Sequence, residues 1–228
     1  FNQMGIERLG EPGPDADVEV IAVGAHIIDD LGLASDVTLE LNSLGDSESR
    51  SAYRVLLVKY FSHHREALSE DSRRRLERNP LRILDSKDRG DRDVIAGAPD
   101  FAASFNAASA DHFEAVRAGL DEIGIAYTIN PRLVRGFDYY CHTAFEFTTQ
   151  RLGSQGAVIA GGRYDGLVEI MGGPATPGTG WASGIERLAM MMGDPAAAIR
   201  PIAVIPVGDE AAPAARRTAN ALRRSGFT

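Results

Sequence analysis

The chain reads as a soluble mixed α/β protein in which a charged helical module interrupts a sheet. Three observations predict this. Apolar and polar residues alternate over short runs near the start and again in the second half, the mark of half-buried strands. From Asp46 onward the texture turns to charged, helix-forming sequence. At 228 residues, 44% of them hydrophobic, the chain can bury one large core or two smaller ones.

Phe1 to Leu9 alternates without any lead-in, as a strand entered midway, so the chain is expected to start inside a domain. Gly10 to Pro14 is a Gly/Pro turn. Asp15 can cap a helix whose apolar positions Val18, Ile21, Ala25 and Ile28 recur at helical spacing until Gly32 stops it. Val37, Leu39 and Leu41 alternate with Thr38 and Glu40, a strand with one face on a core. The helical module then spans about Asp46 to about Gly124. It holds helices from Ser47 to His63 and from Ser69 to Arg78, the latter closed by Asn79-Pro80, then a Lys/Arg/Asp-rich loop from Leu84 to Asp93. Its last helix, Asp111 to Ile123, sets Phe113, Val116 and Leu120 on one face.

Ile125 to Ile129 returns to strand character. Thr143 to Thr148 and Ala157 to Ala160 read as neighbouring strands joined by a Gly153 to Gly156 loop. A short helix from Asp165 to Met171, a loop from Gly172 to Gly180 and a second short helix from Ile185 to Met192 follow. Pro195 and Pro201 punctuate a linker. A strand from Ile202 to Val207 and an amphipathic helix from Ala211 to Ser225 open a further βα domain, so truncation is expected at both ends.

The net charge of −8 argues against a protein that grips nucleic acid by bulk positive charge, so any RNA contact is expected to use local patches. Cys141 is the sole cysteine, which excludes an intrachain disulfide and an all-cysteine metal site and suits a reducing cytosol. No apolar run is long enough to span a membrane, and the first residues lack signal-peptide order, so a cytoplasmic location is expected. His26, His63, His64, His112 and His142 form no ligand set, and Cys141-His142 lacks partners at zinc spacing, so no metal site is expected. The basic residues from Arg73 to Arg92, Lys87 among them, are interleaved with Glu70, Asp71, Glu77, Asp85, Asp88, Asp91 and Asp93, which reads as a solvated face, with RNA contact as the lesser alternative.

Three segments carry chemistry. Leu133-Val134-Arg135-Gly136-Phe137-Asp138-Tyr139-Tyr140 crowds a guanidinium, a carboxylate and two phenols into one run. An arginine there can clamp phosphate with a fork of donors, Asp138 can hold it in place, and adjacent tyrosines can divide between packing and lining a pocket. Gly161-Gly162-Arg163-Tyr164-Asp165-Gly166 follows a strand and opens a short helix. Its glycines allow close backbone approach to a ligand, or serve a tight turn at positive φ, and spacing alone favours the turn. Gly178-Thr179-Gly180-Trp181-Ala182-Ser183-Gly184 has one residue too many for a dinucleotide fingerprint. Small residues ahead of Ile185-Glu186-Arg187-Leu188 suit a floor beneath a flat base, with Arg187 free to stack on it.

Together these segments resemble histidyl-tRNA synthetase, and the resemblance covers essentially the whole chain. It implies an α+β fold: a class II synthetase antiparallel sheet flanked by helices, over residues 1–45 and 125–194, with a helical insertion domain at 46–124 and the start of a C-terminal α/β, anticodon-binding domain at 200–228. It implies an enzyme that joins histidine to AMP using ATP, with magnesium accompanying the nucleotide, and then transfers histidine to the 3′ end of tRNA(His), as a homodimer in full-length form. Residue by residue, Phe1 would stack adenine, Gln3 would lie near the histidine main-chain groups, and Glu7 would meet the imidazole. Arg135 matches the family's phosphate-binding arginine. Tyr139 and Tyr140 would line the histidine pocket, Tyr164 its edge, and Gly180 and Ala182 its floor, while Arg187 would sandwich adenine and meet the γ-phosphate. Further site residues, among them a motif 2 arginine, are expected before Phe1.

Two other readings are weighed. A synthetase-like regulatory subunit of histidine biosynthesis shares this core but tends to lose the insertion domain, the anticodon-binding domain and parts of the Arg135 to Tyr140 motif, which this chain keeps. A catalytically dead RNA-binding or interaction module would have no use for Arg135, Tyr140 and Arg187.

Overall fold

The computed structural model describes residues 1–137, 139–153, 156–193 and 201–227. They fall into two compact units, Phe1–Met192 and Gly193–Thr228. In the first unit, strands β1 (Gln3–Leu9), β2 (Thr38–Ser43), β3 (Thr128–Ile129), β4 (Cys141–Thr148), β5 (Ala157–Arg163) and β6 (Gly178–Gly184) form one sheet in the order β1-β6-β5-β4-β2-β3. Every pairing is antiparallel except β2 with the two-residue β3, so the expected antiparallel sheet carries one parallel edge. The long excursion between those two strands permits it, since parallel neighbours need a lengthy crossover.

The two faces of this sheet differ in chemistry because side chains alternate along each strand. Met4 and Ile6, Leu39 and Leu41, Phe145 and Phe147, Ile159, and Trp181 point to one side. Helices α1 (Pro14–Asp30) and α5 (Ala107–Glu122) cover that side with Val20, Ile21, Val116 and Leu120, and α7 (Ile185–Met192) adds Leu188 and Met191. Trp181 Nε1 donates to the Val20 carbonyl at 2.7 Å, which ties α1 to β6. The opposite side carries Gln3 and Glu7, Glu40 and Asn42, Glu146, Ala160, Gly180 and Ala182, and it is the side that faces the cavity described below.

A second core belongs to the helical module. Helices α2 (Ser47–His63), α3 (Glu70–Arg78) and α4 (Arg89–Ala96) bury Tyr53, Leu57, Phe61, Leu76, Val94 and Ile95 around Ile83 and Phe101. Asp46 caps α2 by accepting from the Ser49 amide, and Ser69 caps α3 through Ser72. Asp91, fully buried, accepts from the Ser69 amide and from the hydroxyls of Ser69, Ser72 and Ser86. Burial alone would raise its pKa, but these donors outweigh it and hold the carboxyl below its usual value.

Several local expectations need correction. The helix α5 begins at Ala107, capped by Asn106, and its buried Val116 and Leu120 pack into the sheet core and not into the core of the helical module. The stretch read as a loop from Leu84 to Asp93 contains the start of α4, because Asp88 caps it and Val94 and Ile95 give it an apolar face. Asp15 lies in the first turn of α1 and is not its cap; Gly13 occupies that position with Pro14 after it. Gly178 to Gly180 is strand, not loop. The small side chains of β6 give no alternation to read, and only its two neighbours reveal it.

In the second unit α8 (Ala212–Arg224) forms as expected. The strand expected from Ile202 to Val207 does not: it has no hydrogen-bonded neighbour among the described residues, and Ile205 and Val207 are exposed. A strand without a ladder leaves its backbone groups to water. The linker proline Pro195 lies outside the described residues. No helix of the described residues is long and apolar enough to cross a membrane.

Candidate active site on the open face of the sheet

Above β1, β6 and β5 lies a cavity of about 720 Å³. Phe1, Gln3, Glu7, Arg135, Tyr140, Tyr164, Gly180, Ala182 and Arg187 all line it, drawn from segments far apart in sequence. The sheet explains why. β1 pairs with β6 so that Glu7 faces Gly180 and Gly5 faces Ala182, while β5 brings Ala160 opposite Ala182. Glu186 and Met190, which sequence reasoning passed over, line it too, from the α7 side.

Gly180 is a matter of space. A Cβ at this position would overlap the Glu7 carboxylate and the Ile6 carbonyl, so the acidic group reaches into the cavity only because β6 has nothing there. Burial raises the Glu7 pKa, as expected for a carboxylate partly withdrawn from water. Gly161, in β5, has the same logic on the core side: a Cβ would overlap the Gly180 carbonyl and the Trp181 side chain. Neither Gly161 nor Gly162 has a positive φ, so close packing of strands, and not a left-handed turn, accounts for Gly161.

Arg135 sits on an irregular segment and is held from three directions. Its Nη1 donates to Glu146 Oε1 at 2.5 Å, its guanidinium carbon lies 5.3 Å from the Tyr140 ring centroid, and the next residue's carbonyl, Gly136 O, accepts from Arg82 Nη2 of the helical module. Asp138, expected to anchor this arginine, lies outside the described residues; Glu146 of β4 is the carboxylate observed on it. Burial raises the Glu146 pKa, opposed by Arg135. Arg135 Nε is buried without a protein partner, a donor left for something else to satisfy.

Tyr139 does not line the cavity. Its ring stacks on Phe137 at 5.2 Å, tilts against Tyr140 at 4.7 Å and meets Tyr164 edge-on at 6.4 Å, so it packs beside the two tyrosines that do line the cavity. Burial is the main cause of its raised pKa. Tyr164 meets Tyr140 edge-on at 6.2 Å. Arg187 donates to the Ala157 carbonyl at 2.6 Å, which sets its stem along the cavity wall.

Sequence reasoning missed the support beneath this site. Arg163, fully buried, spans Asp17 Oδ2 at 2.9 Å, Asp165 Oδ1 at 3.0 Å and the carbonyls of Glu11 and Gly13. Burial would lower its pKa; Asp17 and Asp165 outweigh that and raise it. Asp17 also meets His112 Nε2 at 2.8 Å. An ionised carboxylate only accepts, which puts the imidazole proton on Nε2. His112 stacks on His142, whose φ of 44° is left-handed. Desolvation by burial is the main cause of the lowered His142 pKa. The signal was available: an aspartate in the first turn of an otherwise apolar helix face invites a buried partner.

The model of the family described as histidyl-tRNA synthetase matches residues 1–188. A histidine–tRNA ligase of Rhodospirillum rubrum is 56% identical over all 228 residues, which cover 55% of that protein; one of Gluconacetobacter diazotrophicus is 52% identical over 99% of the chain and 54% of its own length. The chain thus spans about half the length of the curated relatives it matches. The crystal structure of apo S. aureus histidyl-tRNA synthetase superposes with a TM-score of 0.74 at 36% identity, over the whole chain and 57% of that structure. A Bacillus halodurans structure titled as an ATP phosphoribosyltransferase regulatory subunit/histidyl-tRNA synthetase is 20% identical, with a TM-score of 0.61, over the whole chain and 62% of that structure, and shares the fold. With a class II synthetase sheet and both glycine-rich segments in place, the chain belongs to the histidyl-tRNA synthetase family.

Proposed function

We propose that the chain carries the histidine-activating site of a histidine–tRNA ligase. The observation that carries this reading is the convergence of Glu7, Tyr140, Arg135 and Arg187 on one cavity, with Gly180 cleared for the Glu7 carboxylate. Histidine is the amino acid with two ring nitrogens on opposite sides, and a carboxylate with a phenol satisfies both. Gln3 then faces the main-chain groups, and Phe1 and Arg187 take the adenine between them. Gly180 and Ala182 form the floor and Tyr164 the edge, with Tyr139 beside Tyr140.

In this reading the histidine carboxylate attacks the α-phosphorus of ATP in line, the bond to the β-phosphate oxygen breaks, and pyrophosphate leaves with the electron pair. Such a step calls for orientation and for stabilisation of phosphate charge more than for a proton-transfer residue. The guanidinium of Arg135 supplies planar paired donors, its Nε still unsatisfied by protein. Magnesium enters the proposal as the ion that accompanies ATP, a hard cation that takes the nucleotide's phosphate oxygens. Transfer to the 3′ end of tRNA(His), homodimeric assembly, a tRNA-facing role for the helical module and a cytoplasmic location belong to the same proposal, as does an inserted domain at the module.

The test uses the R. rubrum ligase with this chain grafted over its matching segment. Glu7→Gln is expected to raise the histidine KM far more than the ATP KM, because a site built to hydrogen-bond its ligand loses heavily when a partner changes. Arg135→Lys is expected to slow adenylate formation on the order of 10²-fold, as for loss of one preorganised donor. Unchanged histidine affinity in Glu7→Gln together with an unchanged rate in Arg135→Lys would refute the proposal.

A further inference from the structure

Arg135 belongs to a segment without regular structure, yet its role under the proposed function demands a fixed direction. A long flexible side chain on a loop does not aim itself: each freely rotating bond spreads the guanidinium over several ångströms, and a misplacement of about 1 Å can slow a reaction on the order of 10²-fold. Something rigid has to hold one end of the fork while the other end meets the ligand.

We propose that Glu146 is the positioning residue for Arg135, holding the guanidinium by one nitrogen so that its remaining donors face the cavity. This rests on the reading of Arg135 as the phosphate-stabilising group. Four observations support it. Glu146 is carried by β4, hydrogen-bonded on both sides within the sheet, so its carboxylate has a firm base. The pair is largely shielded, with side-chain exposures of 15% for Arg135 and 24% for Glu146, unlike the exposed arginine pairs of α3. The contact runs through Nη1, at one end of the guanidinium, while Arg135 itself lines the cavity. The carboxylate beside it in the sheet, Glu40, is already engaged by Asn130 Nδ2 at 2.6 Å and Thr148 Oγ1 at 3.2 Å, so among the described residues Glu146 is the carboxylate paired with the arginine.

The tyrosine ring completes the hold. Tyr140 lies against the guanidinium carbon, closing the direction in which the side chain would swing if Glu146 let go. A carboxylate anchor also offsets the guanidinium's charge without using it up, since the guanidinium keeps donors beyond those the carboxylate takes. Glu146 touches no expected ligand atom; it acts through Arg135.

The test is a mutant cycle in the grafted ligase, reading single-turnover adenylate formation, the histidine KM and the urea midpoint of each variant. Glu146→Gln, which keeps the shape and removes the charge, is expected to slow adenylate formation between about tenfold and 10²-fold with the histidine KM within about twofold of the parent. In an Arg135→Ala background the same change is expected to add no further loss, and Glu146→Asp is expected to retain more activity than Glu146→Gln. A parental rate in Glu146→Gln, an equal loss in the Arg135→Ala background, or indistinguishable aspartate and glutamine variants would overturn the proposal while leaving the role of Arg135 standing. A parental rate in Arg135→Ala itself would overturn both. Should Glu146→Gln shift the urea midpoint, the comparison of Glu146→Asp with and without Arg135 decides the question.

Discussion

Asp17→Asn is expected to destabilise the sheet unit by about 3 kcal/mol. Arg163 is 0% exposed and Asp17 equally so. The substitution preserves volume but leaves a guanidinium without its buried counter-charge, and breaking a buried pair from one side costs about 3–5 kcal/mol because the orphaned charge stays desolvated. The lower end applies, since Asp165 and the carbonyls of Glu11 and Gly13 still satisfy some donors, and Asp165 is partly open to water. Loss of the His112 contact adds to the effect in the same direction. The assay is urea unfolding followed by Trp181 fluorescence. This is the sole tryptophan, it is buried, and its indole donates to Val20 on the helix that carries Asp17. With the sheet unit at ordinary stability, about 5–15 kcal/mol, the midpoint should fall by roughly 1 M or more, taking a urea slope of about 2–3 kcal/mol/M. A fall under about 1 kcal/mol would refute the view that Asp17 neutralises Arg163. Replacing both partners, Asp17→Asn with Arg163→Met, should recover part of the loss, since a buried pair replaced by uncharged groups is often tolerated.

Gly180→Ala is expected to push the Glu7 carboxylate aside and raise the histidine KM of the grafted ligase at least tenfold, with the ATP KM little changed; equal effects on both substrates would count against the space argument. Arg82→Ala, which removes the module's hold on the Gly136 carbonyl, should lower the rate of adenylate formation several-fold while the Trp181 unfolding midpoint stays put. Asp91 has a folded pKa below its unfolded value, so its contribution to stability is complete above the unfolded pKa, near 4, and vanishes as the pH falls through the folded one. Helical signal from the module should therefore decline on acidification below about pH 4, and Asp91→Asn should flatten that decline while lowering stability at pH 7.

The helices were the legible part of the fold. α2 and α7 run over the very residues expected of them, because local sequence decides them. α5 shows the limit: its apolar face was visible, but not which of two cores would receive it. β6 was illegible for a different reason, since Gly-Thr-Gly-Trp-Ala-Ser-Gly contains a single large apolar side chain, and its strand character comes wholly from β1 and β5. In the site, motif residues could be named from the sequence, whereas Glu146 and Asp17 could not. They matter through partners 11 and 146 residues away, and such separations leave no trace in local composition.

The order β1-β6-β5-β4-β2-β3 has a consequence for how the chain is made. Gln3 pairs with Gly184, so β1 waits for β6 while all the residues between them are made. At about 5–20 residues per second, that is on the order of ten seconds or longer during which Met4, Ile6 and the apolar face of α1 lack their strand partner. The helical module, whose core draws on residues between Tyr53 and Phe101 with few outside them, is under no such delay, since short-range contacts form early. A ribosome-bound chain should therefore display a folded helical module beside an unclosed sheet, and the open sheet is where a chaperone would find apolar surface to hold.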